Sequence, residues 1–365
     1  MNIKSLLLGS AAALVAVSGA RAADAVVVAE PEPVEYVRVC DTYGAGFFYI
    51  PGTETCLKIS GYVRVDVSGG DLWGRNVDAD KDVDTYKIRT RATVRFDARS
   101  ETELGTLRSY IESRFQFDDG ADSKDGKTGN IPSAYIELGG FRVGVTDSVF
   151  SSWTDAAGKV MQDDLVDYDG DKTNQINYTF AGGNGFSAVI GLEQGDSKHL
   201  INDYMPHVVA GVKFEQAWGA ISAVGGYDSI VEEFAGKVRL DVKATDQLSL
   251  FVMGGYQSGW DDTHIVNGKT LDKGSYYGAW QGDYAVWGGA TFKVNEKAKI
   301  NAQVSYEDEG TIGAAANVAY EIVPGFVITP EIDYVSLDGD RAKAARAAGN
   351  STDQWGGMVR FQRNF

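Results

Sequence analysis

The sequence predicts an all-β chain: a 16-stranded antiparallel transmembrane β-barrel with water inside and lipid outside. Three observations carry this reading. In residues 86–99, YKIRTRATVRFDAR, the odd positions hold Arg89, Arg91, Thr93, Arg95, Asp97 and Arg99, whereas the even ones hold Ile88, Thr90, Ala92, Val94, Phe96 and Ala98. Successive side chains of a strand point to opposite faces, so one face is rich in guanidinium and the other is nearly all apolar. The same alternation recurs along almost the whole chain, with both faces too consistent for a soluble sandwich. Composition agrees: 44 Gly and only 7 Pro stand beside 18 Tyr and 16 Phe, the mixture of turn and strand residues that β-proteins favour. A mean hydropathy of −0.20 excludes a bundle of membrane helices. A spanning strand hides its apolar half from such averages, because every second residue is polar.

In chain order, residues 1–22 read as a secretory signal. Lys4 supplies the positive start, Leu6 to Val17 the apolar run, and Ala20-Arg21-Ala22 the small-x-small cleavage site. The run is too short to span a membrane as a helix. Residues 23–56 then form an N-terminal segment outside the barrel, opening on an acidic arm around Glu30-Pro31-Glu32-Pro33. Its two cysteines, Cys40 and Cys56, are the only ones in the chain. In an exported protein an even count implies one disulfide, worth roughly 3 kcal/mol in the loop-entropy model. A free thiol pair or a metal pair is the competing reading, with no His nearby to complete a metal site.

Residues 57–365 carry the strands. The first puts Ile59, Val63, Val65 and Val67 outward and Lys58, Tyr62, Arg64 and Asp66 inward. Residues 86–99 form the second strand, and in the third Leu107, Ile111, Phe115 and Phe117 point outward, opposite Arg108, Glu112 and Arg114. Strands at 131–139, 141–147, 173–181, 185–194, 206–216, 219–228, 232–244 and 247–258 follow. Those at 283–294, 297–308, 311–323, 325–337 and 354–365 complete the set. SETELG, GG, AGGNG, QAWG, TDQ, NEK and PG make short turns at one rim, and most connections at the other are long. That asymmetry is typical of outer-membrane barrels. Pro330 falls on the lipid side of the fifteenth strand and cannot donate to the ladder, so a bulge is expected there. Residues 341–348, RAKAARAA, have helical composition and read as a short helix in a surface loop.

Charge bounds the partners. The chain carries 34 Lys and Arg against 51 Asp and Glu, a net −17; losing Lys4 and Arg21 with the signal leaves −19. So acidic a chain is a poor nucleic-acid binder. His199, His207 and His264 fall in or beside loops without a triad-like spacing, and no catalytic, cofactor or metal residue is assigned. The runs Asp78-Ala-Asp80-Lys-Asp82 and Asp167-Tyr-Asp169-Gly-Asp171 lack the glycine and the bidentate glutamate of a calcium loop.

The informative stretch is 148–172, the longest without strand alternation. It carries Asp155, Asp163, Asp164, Asp167, Asp169 and Asp171 against Lys159 and Lys172. Folded outward, these acids are merely wet. Folded into the lumen, they would offer counter-charge to Arg64, Arg89, Arg91, Arg95, Arg99, Arg108, Arg114 and Arg142, setting a transverse field across a constriction. The final strand places Trp355, Val359, Phe361 and Phe365 on one face, and Phe361 with the terminal Phe365 is similar to the signal that directs outer-membrane barrels to assembly.

The stretches VEYVRVCDTYGAGFFYIPGTETCLKISGYVR, AGGNGFSAVIGLEQG, NVAYEIVPGF and WGGMVRFQRNF together resemble alphaproteobacterial porins of the Brucella and rhizobial type, and the likeness spans essentially the whole chain. The resemblance implies a trimeric barrel in the outer membrane of a Gram-negative bacterium, in contact with lipid and lipopolysaccharide, with both termini periplasmic. It implies a third loop, 148–172, folded inward as an eyelet opposite the basic wall, and general diffusion of small hydrophilic solutes and ions without a cofactor. A channel specific for sugars or oligosaccharides is the alternative, and would need an aromatic ladder, for which inward Tyr62, Tyr110 and Trp287 are scattered. An outer-membrane lipase and an adhesive surface protein are further rivals. The acidic mouths predict mild cation preference at low salt, against which the arginine wall pulls.

Overall fold

The computed structural model describes residues 38–75, 85–118, 127–168, 170, 172–266, 269–270 and 274–365. The signal sequence, the acidic arm to residue 37 and the Asp78–Asp82 run lie outside them. Sixteen long strands form one closed antiparallel sheet. They are β1 Cys56–Gly70, β2 Lys87–Thr102, β3 Gly105–Asp118, β4 Lys127–Leu138, β5 Phe141–Asp147, β6 Lys172–Ala181, β7 Phe186–Glu193 and β8 His207–Gln216. They continue as β9 Gly219–Asp228, β10 Glu233–Lys243, β11 Leu248–Gln257, β12 Tyr284–Lys293, β13 Ala298–Glu307, β14 Thr311–Val323, β15 Phe326–Leu337 and β16 Asp353–Asn364. Each pairs with its sequence neighbours, and β16 returns to β1, Phe361 opposite Val65. Phe365 completes the seam by exchanging backbone hydrogen bonds with Gly61 at 2.9 and 3.0 Å. Closure leaves no edge of unpaired amides for hydrocarbon to meet.

The register carries the alternation into space. Ile190, Val212, Val238, Val252, Val286 and Val304 are exposed on the outer face. Aromatic side chains flank this aliphatic band. Phe180, Phe186, Phe214, Phe292 and Phe361 lie toward the short turns, and Tyr227, Phe234, Tyr256, Tyr284 and Trp355 toward the long loops. A girdled apolar band of this kind is the surface a bilayer covers. No helix among the described residues is long and apolar enough to cross a membrane.

Among the described residues two α-helices lie off the barrel wall, α1 (Val149–Ser152) and α2 (Gly339–Ala347), the latter where alanine-rich composition predicts it. Cys40 and Cys56 form a disulfide, which packs with Phe47 in a small core of its own. The bulge expected at Pro330 is absent. Thr329, Pro330 and Glu331 stay in register with Arg360, Val359 and Met358, and the shift in that hairpin falls instead between Glu321 and Val323. A proline that costs one ladder bond on one side therefore leaves the pairing frame intact.

Candidate functional site: the lumen and its inward loop

Strands β1 to β5 place Arg64, Arg89, Arg91, Arg95, Arg99, Arg108, Arg114 and Arg142 on the inner face. Six of the eight meet carboxylates of the wall itself. Asp97 binds Arg99 and Arg108 through paired hydrogen bonds of 2.8–3.0 Å. Glu137 accepts from Arg108 at 2.8 Å and from Arg142 at 2.7 Å. Glu112 joins Arg95 at 2.7 Å to Arg114 at 3.1 Å, and Asp66 joins Arg89 to Arg360 at 2.7 Å each. Acids and bases thus alternate along and across neighbouring strands, where planar guanidinium and carboxylate meet edge to edge. The wall therefore carries carboxylates that supply counter-charge the sequence reading assigned to loop 148–172. Arg64 and Arg91 bind amide oxygens, of Gln362 at 2.7 Å and Gln116 at 2.8 Å. Tyr62 lies beneath Arg64, with 4.5 Å from ring to guanidinium.

Loop 148–172 makes its contacts with the other half of the wall. At its root, Ser148 Oγ and the Val149 N–H donate to Glu193 at 2.8 Å each, and Phe150 N–H donates to Ser148 Oγ. This caps α1. Outward bound, Trp153 packs over Gly211 of β8, and Arg239 of β10 donates to Ala156 O at 2.6 Å. Gly158, with φ +149, passes so close to Gln303 and Phe251 that a Cβ would lie 2.3 Å from Gln303 Oε1. Asn317 then donates to Lys159 O at 3.2 Å, and the Met161 and Gln162 amides both reach Glu331 of β15. On the return, Gln303 holds Asp163 O at 2.8 Å, Trp287 holds Val166 O at 2.9 Å and Lys237 holds Tyr168 O at 2.7 Å. Inward-facing polar residues of β10 to β15 thereby satisfy a backbone that has no ladder of its own.

The aspartates sit at different places on this path. Asp155, with φ +56, is exposed beside Lys213 and Lys243, along a cavity of about 230 Å³ shared with Glu215 and Asp241. Asp163 accepts from Tyr168 Oη at 2.7 Å, while Asp164 and Asp167 are exposed. Asp169 and Asp171 lie outside the described residues. At the loop's far end Gln162 lines a polar cavity of about 320 Å³ with Asp66, Trp73, Lys87, Arg89 and Met358. Here the loop tip and the arginine-bearing face come together.

A family model of the porin subfamily matches residues 24–358. Porin Omp2b of Brucella suis biovar 1 (strain 1330) is 49% identical over 381 residues, with all of both chains covered. The chain belongs to the porin subfamily. Porin Omp2a of Brucella melitensis biotype 1 is likewise 49% identical, over 386 residues and the full length of both. Among solved structures, a mutant of the Rh. blastica porin aligns with a TM-score of 0.59 at 15% identity, covering 85% of this chain and 100% of that one. Salmonella typhi OmpF, in complex with daunomycin, aligns at 0.57 with 11% identity, covering 86% and 98%. These two likenesses bear on the fold alone. As a porin the chain is a channel-forming β-barrel of the outer membrane.

Sequence reasoning missed a second inward segment of this porin. Residues 274–283, between β11 and β12, bury Tyr276, Tyr277 and Trp280. The aromatic run GSYYGAWQG in an otherwise polar connection was the available signal. Trp287 points inward as its strand position predicts, but its indole is buried and holds the loop, so it offers no sugar-stacking face. Nearby, burial alone would raise the Asp196 carboxyl, but hydrogen bonds from the His199 ring and backbone hold it well below the usual carboxylate range. Burial, and next to it the Glu193 charge, push both the Tyr276 and Tyr277 phenols up.

Proposed function

We propose that this porin is a general-diffusion channel in which small hydrophilic solutes and ions pass passively between loop 148–172 and the arginine-bearing face. The observation that carries this reading is the loop's path across β8 to β15, ending with Gln162 on the same cavity as Arg89. A backbone pinned across the inner wall narrows the lumen, and the opposed charges there sort solutes by size, charge and dipole. In this reading the constriction has Asp155, Asp163, Asp164, Asp167 and Asp169 on its loop side and the arginines of β1 to β5 on the other. The acidic mouths favour cations mildly at low salt.

The assembly follows the same reading. Residues 1–22 direct export, the disulfide segment and both termini face the periplasm, and Phe361 with Phe365 marks the last strand for insertion. Three copies associate in lipid and lipopolysaccharide. No catalytic step is part of it. His199 and His207 are buried against Asp196, Asp228 and Tyr276, away from the lipid-facing surface where a lipase would need them. Reconstitution in a planar bilayer tests the whole: conductance in three equal closures per insertion supports a trimeric channel. Saturable, competitively blocked sugar flux would favour the substrate-specific alternative. Clear anion selectivity in a salt gradient would overturn the cation preference.

A further inference from the structure

The constriction loop is backed by a second piece of chain. In segment 274–283 the Tyr277 ring stands 5.2 Å from Phe150 of α1, on the outward leg of loop 148–172. Trp280 stands 5.7 Å from Trp287, whose indole N–H holds Val166 on the returning leg. Gln257 at the end of β11 fixes the far end of the segment, donating to Trp280 O at 2.8 Å and Gly282 O at 2.9 Å. One fused core of Val149, Phe150, Val166, Tyr168, Tyr277 and Trp280 joins the two loops to the wall.

The near end is held by Asp228, the last residue of β9. Its Oδ2 accepts the Tyr276 N–H at 2.8 Å and its Oδ1 the Ile230 N–H at 2.8 Å. His207 Nδ1 lies 3.2 Å from Oδ1, its Nε2 donates to His199 O at 2.7 Å, and its ring stacks on Tyr276. Asp228, His207 and His199 are all fully buried. A buried carboxylate is costly unless it is hydrogen-bonded. This one takes a backbone N–H on each oxygen, one from the segment and one from the turn after β9, while His207 Nδ1 beside it accepts the Ser229 N–H. Its location at the segment's root is therefore informative.

We infer that segment 274–283 is a brace that sets the position of loop 148–172, and that Asp228 is its positioning residue. The inference rests on reading that loop as the constriction. Asp228→Asn keeps the shape but turns an amide N–H₂ toward a backbone N–H that needs an acceptor. In a folded, bilayer-inserted trimer it raises unitary conductance, on the order of 1.5-fold, and adds flicker, while gel mobility and melting stay near wild type. Gly226→Val reaches the brace independently: a Cβ there would lie 2.5 Å from the Tyr277 ring, and Asp228 is untouched. It is expected to raise conductance and flicker in the same way. Hydrogen exchange on the unmodified porin needs no variant, and the Tyr276 amide should exchange far more slowly than exposed loop amides. Wild-type conductance and quiet openings in either folded variant, or rapid exchange at Tyr276, would overturn the brace. Loss of the constriction reading itself would show separately, as a thiol reagent at the loop tip that leaves the current unchanged.

Discussion

The two halves of this barrel satisfy their inner faces in different ways. Across β1 to β5 and β16, arginine binds carboxylate or amide on the next strand, and the wall is sufficient to itself. Across β10 to β15, Lys237, Trp287, Gln303 and Asn317 turn instead to the backbone of an inward loop, and Arg239 does so with one nitrogen while pairing with Asp241 through the other two. The difference shows how one strand pattern serves two purposes. Laterally paired charges satisfy one another along the wall, whereas donors aimed at a loop backbone hold that loop against the inner face.

The comparison breaks most visibly at the loop's root. Glu193→Ala removes the acceptor of Ser148 Oγ and the Val149 N–H, leaving buried donors unpaired at about 1–3 kcal/mol. A loop freed at its root should raise unitary conductance and the polymer size excluded, the largest effect expected of a single change. Arg239→Ala takes away the donor to Ala156 O and with it the partner of Asp241, so a smaller rise in conductance is expected from the same recording. On the loop itself, neutralising Asp163 and Asp164 together should move the reversal potential toward anions and alter conductance. No change in either would place the loop outside the lumen.

The other half answers to different changes. Arg64→Gln with Arg91→Gln removes the two guanidiniums of the β1 to β5 wall that bind amides in place of carboxylates, and should shift selectivity toward cations without unbalancing a salt bridge. Arg95→Gln strips Glu112 of one of two partners, so its charge effect is offset by a freed carboxylate and the reversal potential should move less. Equal shifts from the two experiments would mean that pairing along the wall does not govern its field.

Much of this was legible in the chain. Period-two alternation placed the strands because a barrel wall separates water from lipid at every residue, and the short turns fixed which strands are neighbours. Asp66, Asp97 and Glu112 already stood on the arginine-bearing face, so the lateral pairing was visible in principle; cross-strand register, which a sequence does not carry, decided it. Loops follow no period. The inward course of 148–172 came from resemblance, and that of 274–283 was missed because its anchors, Asp228 and Gln257, lie at strand ends far along the chain. Pro330 misled for a related reason: a missing donor was expected to shift the frame, but the remaining ladder bonds hold it.

The most direct measurement places a thiol at the loop tip. The described cysteines are both in the disulfide, so Gln162→Cys introduces a single reactive site. In a planar bilayer, a bulky charged thiol reagent added from the water should react there and cut the unitary current stepwise, because Gln162 faces the cavity beside Arg89. Full modification with an unchanged current would contradict the account.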